Sequence, residues 1–215
     1  MPRYQGIVFD LDGVLIHSHA THMKAWKTVL RRREIELSAA QLEQCAGITS
    51  DEFAERIECQ WRYSLKPDRQ QTVAEKQSVF AELARTDLEL VPGVDDFLHD
   101  VARKYPLGLC TMATRDRTED ILDRFGWRTL FDAVVTRDQT PRPKPDPSIY
   151  LKVSSELHTP PQNILAFEDT PLGIAAAIAA GMQVVAVATT YDATSLRETK
   201  ASRIIPHFVN FSLDA

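Results

Sequence analysis

The sequence predicts an α/β fold, a Rossmann-like parallel sheet core with an inserted all-helical domain. Continuous apolar runs are typical of parallel strands that are covered on both faces. Helical patterns between such runs indicate an open parallel sheet. The apolar runs are Gly6–Phe9, Leu107–Thr111, Ala133–Thr136, Ile164–Phe167 and Val184–Ala188, and the helical patterns are Asp116–Phe125, Pro147–Leu157 and Pro171–Ala180.

The insertion follows the first strand. Residues 18–88 contain no strand-like run, and apolar side chains such as Trp26, Val29 and Leu30 recur there at helical spacing. Val91-Pro92-Gly93 then marks a turn back into the core. We therefore predict an α/β core of residues 1–17 and 89–215 and a helical domain of residues 18–88.

Composition excludes several classes of protein. The 215 residues carry a formal net charge of −5, whereas a non-specific nucleic-acid binder has a basic surplus. No apolar run approaches the roughly 20 residues that span a bilayer. The three cysteines form no CxxC pair, and no signal peptide is visible. We expect a cytoplasmic protein, monomeric or weakly homo-oligomeric, without nucleic-acid or membrane partners.

Two aspartates follow the first predicted strand in the segment Phe9-Asp10-Leu11-Asp12-Gly13. Ligands of open α/β sheets bind at the carboxyl ends of strands. Close carboxylates repel each other and favour a nearby cation, and Mg²⁺ takes oxygen ligands of this kind. Asp10 and Asp12 are therefore candidate metal-binding and catalytic residues.

Three further features accompany this pair. Glu168-Asp169 again places acids at a strand end, Thr111 places a hydroxyl there, and Lys144 stands in a proline-rich loop. Carboxylates for a metal, a hydroxyl for a phosphate oxygen and a lysine for developing charge together predict phosphoryl transfer without a P-loop. Arg142, which also precedes a proline, is the alternative to Lys144 as the loop cation.

The ordered set DLDGV, CT, KP and EDT resembles the haloacid dehalogenase superfamily of aspartate-nucleophile hydrolases. The helical insertion resembles the cap of the branch that contains β-phosphoglucomutase and sugar-phosphate phosphatases. The resemblance covers nearly the whole chain and implies Mg²⁺ as cofactor and a small phosphorylated metabolite as substrate.

The resemblance implies a role for each matching residue. Asp10 would be the nucleophile that forms an aspartyl-phosphate. Asp12 would be the general acid and then the base, and its backbone carbonyl would bind Mg²⁺. The remaining roles are phosphoryl binding by Thr111 and the Met112 amide, charge neutralisation by Lys144, and Mg²⁺ ligation by Asp169 and, directly or through water, by Glu168.

The cap segment resembles the mutases only in part. His22 and Lys76 match cap residues that help to control the acid/base aspartate, and Gly47 matches a cap glycine at the substrate. Where a mutase has Lys-Gly-Val-Ser-Arg, however, this chain has Ala46-Gly47-Ile48-Thr49-Ser50. The arginine that would grip a second phosphate is thus replaced by Ser50.

Three functions remain open at this point. The first is a phosphatase acting on a small sugar, polyol or glycolate phosphate, which the loss of distal phosphate ligands favours. The second is a β-phosphoglucomutase-like phosphomutase. The third is a non-enzymatic phospho-receiver, although receivers are shorter and have adjacent acids instead of DxD.

Overall fold

A computed structural model describes residues 4–140 and 142–213. The chain divides into two compact units. The first consists of the chain up to His17 and from Leu90 onward, and the second is Ser18–Glu89. The second boundary therefore lies one residue after the predicted one.

The first unit is built on a six-stranded parallel sheet with strand order β5-β4-β1-β6-β7-β8. Strands β2 and β3 are short and pair with each other where the chain leaves and re-enters this unit. The strands are β1 (Gly6–Phe9), β2 (Ile16–His17), β3 (Glu89–Leu90), β4 (Leu107–Thr111), β5 (Ala133–Thr136), β6 (Ile164–Glu168), β7 (Gln183–Val187) and β8 (Arg203–Ile205).

Helices α1–α4 belong to the second unit and α5–α9 to the first. Short 3₁₀ turns at Arg137–Gln139 and Pro161–Asn163 supplement them. The helices are α1 (His19–Arg31), α2 (Ala39–Glu43), α3 (Ser50–Cys59), α4 (Arg69–Asp87), α5 (Val94–Ala102), α6 (Arg115–Phe125), α7 (Ser148–Glu156), α8 (Pro171–Ala179) and α9 (Ala193–Leu196).

The five predicted apolar runs all form strands of the large sheet, within one residue of the predicted bounds. The edge strand β8 was not predicted because Arg203 is exposed and only Ile205 is fully buried. Helix α5 was also missed, although its buried side chains recur at helical spacing after the turn at Gly93.

Strand β1 lies at the centre of the sheet, between β4 and β6, and every one of its residues is buried. Phe9 is in register with Leu109 on one side and with Phe167 on the other. Because the three strands are parallel, their carboxyl ends lie at the same edge of the sheet, so the side chains at and just after these ends meet there.

Both faces of the sheet are covered by apolar side chains. On one face, Phe9 stacks on Phe167 with ring centroids 5.0 Å apart, and further phenylalanines surround them. On the other face, α7 lies so close to β4 that a Cβ on Gly108 would be 2.6 Å from Val153 Cγ2. Coverage on both faces explains why the strands are continuously apolar.

The second unit has an apolar core of its own, with Trp26, Leu30, Phe53 and Ile57 among its most buried side chains. Helices α2 and α3 begin with reciprocal caps, Ser38 with Gln41 and Thr49 with Glu52. Within the described ranges, no helix combines the length and the hydropathy that a membrane crossing requires.

The turn before α5 supplies a stability prediction. Gly93 has φ +77°, and a Cβ there would be 2.6 Å from the backbone nitrogen of Val209. Gly126 has φ +71° but has no atom within 4 Å of such a Cβ. Gly126→Ala should lower the free energy of unfolding by about 1–2 kcal/mol, which is the penalty for an alanine in the left-handed conformation. Gly93→Ala should cost at least about 2 kcal/mol more, because backbone atoms must move.

Urea unfolding of both variants checks this expectation. Equal losses in the free energy of unfolding would show that the close approach of Gly93 to Val209 contributes nothing.

Candidate active site

The centre of the site is a buried ion cluster at the carboxyl end of β1. Lys144 Nζ donates to Asp10 Oδ1 at 2.6 Å and to Glu168 Oε1 at 2.5 Å. The side chains of Asp10 and Lys144 are 10% and 8% exposed, and that of Glu168 is 1% exposed. We name Asp10, Lys144 and Glu168 the ion triad.

Helix α7 and the start of α8 hold Glu168 in place. Tyr150 Oη donates to Glu168 Oε1 at 2.7 Å. The other carboxylate oxygen, Oε2, accepts from the backbone nitrogens of Asp169 and Thr170 and from the Thr170 hydroxyl, at 3.0–3.3 Å. Both oxygens of Glu168 are therefore engaged by protein donors.

Burial dominates the electrostatics of the triad. Desolvation raises the pKa of Asp10 from 3.8 to about 7, partly offset by Lys144 and increased again by Glu168. Burial alone would lower the pKa of Lys144, but the carboxylates of Asp10 and Glu168 outweigh it and raise that pKa. Lys144 therefore stays protonated.

Asp169 adds another carboxyl group at the same edge. It is 2% exposed, and burial together with Glu168 and Asp10 raises its pKa well above the usual range. A Cβ on Gly13 would be 1.8 Å from Asp169 Oδ2, so the turn after β1 needs glycine both for this approach and for its φ of +77°.

Asp12 is held differently. Its Oδ1 accepts a short hydrogen bond from Arg117 Nη2, and the two side chains are 28% and 16% exposed. Arg117 lies in the first turn of α6, which follows β4. No sequence motif predicted a role for Arg117.

Thr111 ends β4 in a buried position, and its hydroxyl oxygen accepts from the Ala113 amide at 3.0 Å. A hydroxyl that accepts one bond still carries a proton that it can donate. Met112 is partly buried and packs against the core cluster beside the sheet.

The chain matches the family described as haloacid dehalogenase-like hydrolase over residues 7–187. It is 32% identical to a validoxylamine A 7'-phosphate phosphatase of Streptomyces hygroscopicus over 197 residues, 91% of each chain. It is 30% identical to a fructose-1-phosphate phosphatase of Escherichia coli, covering 86% of this chain and 97% of that one. The chain belongs to the haloacid dehalogenase-like hydrolases. The predicted family and the prediction of an enzyme are thereby confirmed.

A solved β-phosphoglucomutase from Clostridium difficile superposes on this hydrolase with a TM-score of 0.83. The two chains are 24% identical over 98% of this chain and 94% of the other, so this likeness concerns the fold alone. It confirms the predicted α/β class with its Rossmann-like parallel sheet.

The structure distinguishes the two candidate loop cations. Arg142 is 71% exposed and pairs with Asp146 at 3.0 Å, whereas Lys144 contacts Asp10. Tyr150 was not predicted, since a tyrosine in an amphipathic helix resembles any core residue. One feature of the sequence could have indicated a role for Arg117. A basic side chain in the first turn of a helix is unfavourable with respect to the helix dipole.

The cap candidates lie in the second unit. Lys76, only 1% exposed, has its Nζ 2.6 Å from His22 Nδ1 and 3.0 Å from Ser50 Oγ. Its ammonium also lies 5.3 Å from the Phe80 ring centroid. Gly47 is exposed with φ +69°.

In the described part of the chain, no group of three or more His, Cys, Asp or Glu side chains is arranged to hold a metal ion by itself. A cation beside Asp10 would therefore need backbone or water oxygens as well. The donor chemistry still suits Mg²⁺, because Asp10, Glu168 and Asp169 are buried carboxyls while the triad supplies one ammonium.

The raised pKa of Asp10 gives a pH prediction. Because its folded-state pKa exceeds the unfolded value of 3.8, this group costs stability progressively as the pH rises to about 7. With chelator at pH 8, Asp10→Asn should raise the free energy of unfolding by about 1–3 kcal/mol. The gain should vanish near pH 4.

Lys144→Met should change the stability in the opposite direction. It leaves buried carboxylates without their cation and should lower stability by about 3–5 kcal/mol at pH 8. Denaturant unfolding across pH measures both variants. An Asp10→Asn protein no more stable than wild type at pH 8 would contradict this electrostatic account.

Proposed function

We propose that this hydrolase is a Mg²⁺-dependent phosphatase that cleaves a small phosphate monoester through an aspartyl-phosphate on Asp10. The observation that carries the proposal is the buried Asp10 carboxylate at the carboxyl end of the central strand, with Lys144 at 2.6 Å. A buried carboxylate beside a fixed ammonium suits a nucleophile that must accept a negatively charged phosphoryl group.

Two chemical steps follow from these positions. In the first, a carboxylate oxygen of Asp10 attacks phosphorus while the bond from phosphorus to the leaving oxygen breaks, and Asp12 donates a proton to that oxygen. In the second, Asp12 takes a proton from water as the water attacks the aspartyl-phosphate. Inorganic phosphate leaves, and Asp10 is regenerated.

Other residues of the site bind the transferring phosphoryl group and neutralise its charge. We assign the Thr111 hydroxyl and the Met112 amide to the transferring phosphoryl oxygens, and Lys144 to the charge between nucleophile and phosphate. Glu168 acts mainly by holding Lys144, given its fully engaged oxygens.

Mg²⁺ would be held by Asp10, Asp169 and the backbone carbonyl of Asp12, with Glu168 contributing at most through water. When bound, it would neutralise phosphate charge in the transition state. Mg²⁺ usually keeps several waters, which fits a site with few protein ligands.

The substrate is a sugar, polyol or glycolate phosphate. The phosphatases from Streptomyces hygroscopicus and Escherichia coli are named for a validoxylamine phosphate and a fructose phosphate, which supports a polyhydroxylated monophosphate. His22, Lys76 and Gly47 are the proposed cap contacts. A cytoplasmic location and a monomeric or weakly associated state remain predictions.

A β-phosphoglucomutase-like phosphomutase is the second candidate, and it rests on the resemblance of the segments around His22 and Lys76 to the mutase cap. A mutase needs cationic grips for a second phosphate, yet Ser50 accepts hydrogen bonds from Lys76 and Gln77 at the position where an arginine would stand. The receiver alternative is set aside because the chain belongs to an enzyme family.

Phosphate release tests the proposal most broadly. With Mg²⁺, the enzyme should hydrolyse one or more members of a panel of sugar, polyol and glycolate phosphates. Asp10→Asn and excess chelator should each abolish release. Lys144→Met should lose at least about 100-fold in kcat, since it removes a preorganised charge at the transferring group.

Arg142→Met is the matched control, because this exposed arginine stands two residues from Lys144 and should leave kcat within about twofold. Activity that persists in Asp10→Asn would refute the aspartyl-phosphate route. Interconversion of sugar phosphates without phosphate release would instead identify a mutase.

A further inference from the structure

Arg117 stands at an unusual place in its helix. It lies three residues after Thr114, the N-cap of α6, where the helix dipole presents positive charge. A cation there is disfavoured unless another interaction compensates. Such local conflicts are expected at functional positions.

Arg115, in the same turn, shows what a structural arginine does here. Its guanidinium donates to Glu119, to Gln139 and to the carbonyl of Val134, at 2.6–3.2 Å. The contacts with Val134 and Gln139 join α6 to β5 and to the 3₁₀ turn that follows it. The guanidinium of Arg117 contacts the carboxylate of Asp12, which follows β1.

The backbone around Asp12 is already fixed without Arg117. Gly13 N donates to Ile16 O at 2.8 Å, and Leu15 N donates to Leu11 O at 2.9 Å. The Thr189 hydroxyl also donates to the Gly13 carbonyl. The contact with Arg117 therefore acts on the Asp12 side chain, which is 28% exposed, and not on this backbone.

We propose that Arg117 is a positioning residue that orients the Asp12 carboxyl group for proton transfer. This inference rests on the proposed function, in which Asp12 is the acid and base. A guanidinium presents its N–H groups in a rigid planar fork, whereas an ammonium is a compact charge with rotatable donors. A displacement of about 1 Å at a catalytic group can cost 100-fold in rate.

The first test is the split between kcat and KM on a sugar phosphate that the wild type hydrolyses. Arg117→Met should lower kcat by about 10- to 100-fold and change KM by less than about threefold, because orientation is lost while substrate binding is kept. Arg117→Lys should retain the charge yet recover only part of kcat. Arg115→Met removes the same charge from the same turn and should leave kcat within about threefold.

The second test separates action through Asp12 from direct contact with phosphate. p-Nitrophenolate leaves without protonation, so Asp12→Asn should still give a measurable burst of it. The double variant Asp12→Asn/Arg117→Met should have a burst rate within about twofold of that of Asp12→Asn alone. If Arg117 acts only through Asp12, its loss has no further effect once Asp12 is replaced, so the two effects are not additive. A burst slowed tenfold or more would show that Arg117 binds the phosphoryl group itself and would overturn the proposal.

The two proposals fail in distinguishable ways. Activity in Asp10→Asn removes the phosphatase route and, with it, the role of Arg117. Silence of Asp10→Asn together with an unchanged kcat in Arg117→Met removes only the positioning role. Thermal melts of each variant identify loss of fold. If Arg117→Met unfolds, the kinetic test uses Arg117→Lys. A full kcat in Arg117→Lys would refute a need for the guanidinium.

Discussion

The site depends on one interaction, the buried ammonium of Lys144 between the carboxylates of Asp10 and Glu168. Charges removed from water are tolerated only when they are paired and hydrogen-bonded. Each partner of Lys144 is positioned by a different strand: Asp10 follows β1, and Glu168 ends β6. Lys144 comes from the loop before α7, so the pairing also ties that loop to the sheet.

Small side chains make room for this arrangement. A Cβ on Gly173, in the first turn of α8, would be 1.9 Å from Glu168 Oε1. Gly13 plays the same part beside Asp169. Glycines in the turn after β1 and in the first turn of α8 thus let carboxyl groups approach the backbone closely, which concentrates negative charge where a cation and a phosphoryl group would meet.

The sequence predicted most of the sheet because its strands are buried on both faces and read as apolar runs. It also predicted that Asp10, Glu168 and Lys144 lie in one site. Asp10 and Glu168 stand at the ends of parallel strands, which meet at one edge of the sheet, and Lys144 stands in a stiff loop. It missed Tyr150 and Arg117, whose roles depend on which way a helix faces. Only the packing of α7 and α6 reveals those contacts, because periodicity gives a helix its buried side and not its individual partners.

The central claim is a covalent phosphate on Asp10, and trapping it is the most direct test. Asp12→Asn, which lacks the base for the second step, should accumulate the aspartyl-phosphate when given p-nitrophenyl phosphate and Mg²⁺. Acid quenching followed by reductive labelling and peptide mass spectrometry should place the modification on Asp10. A label on any other residue, or stoichiometric p-nitrophenolate without a labelled protein, would contradict the account.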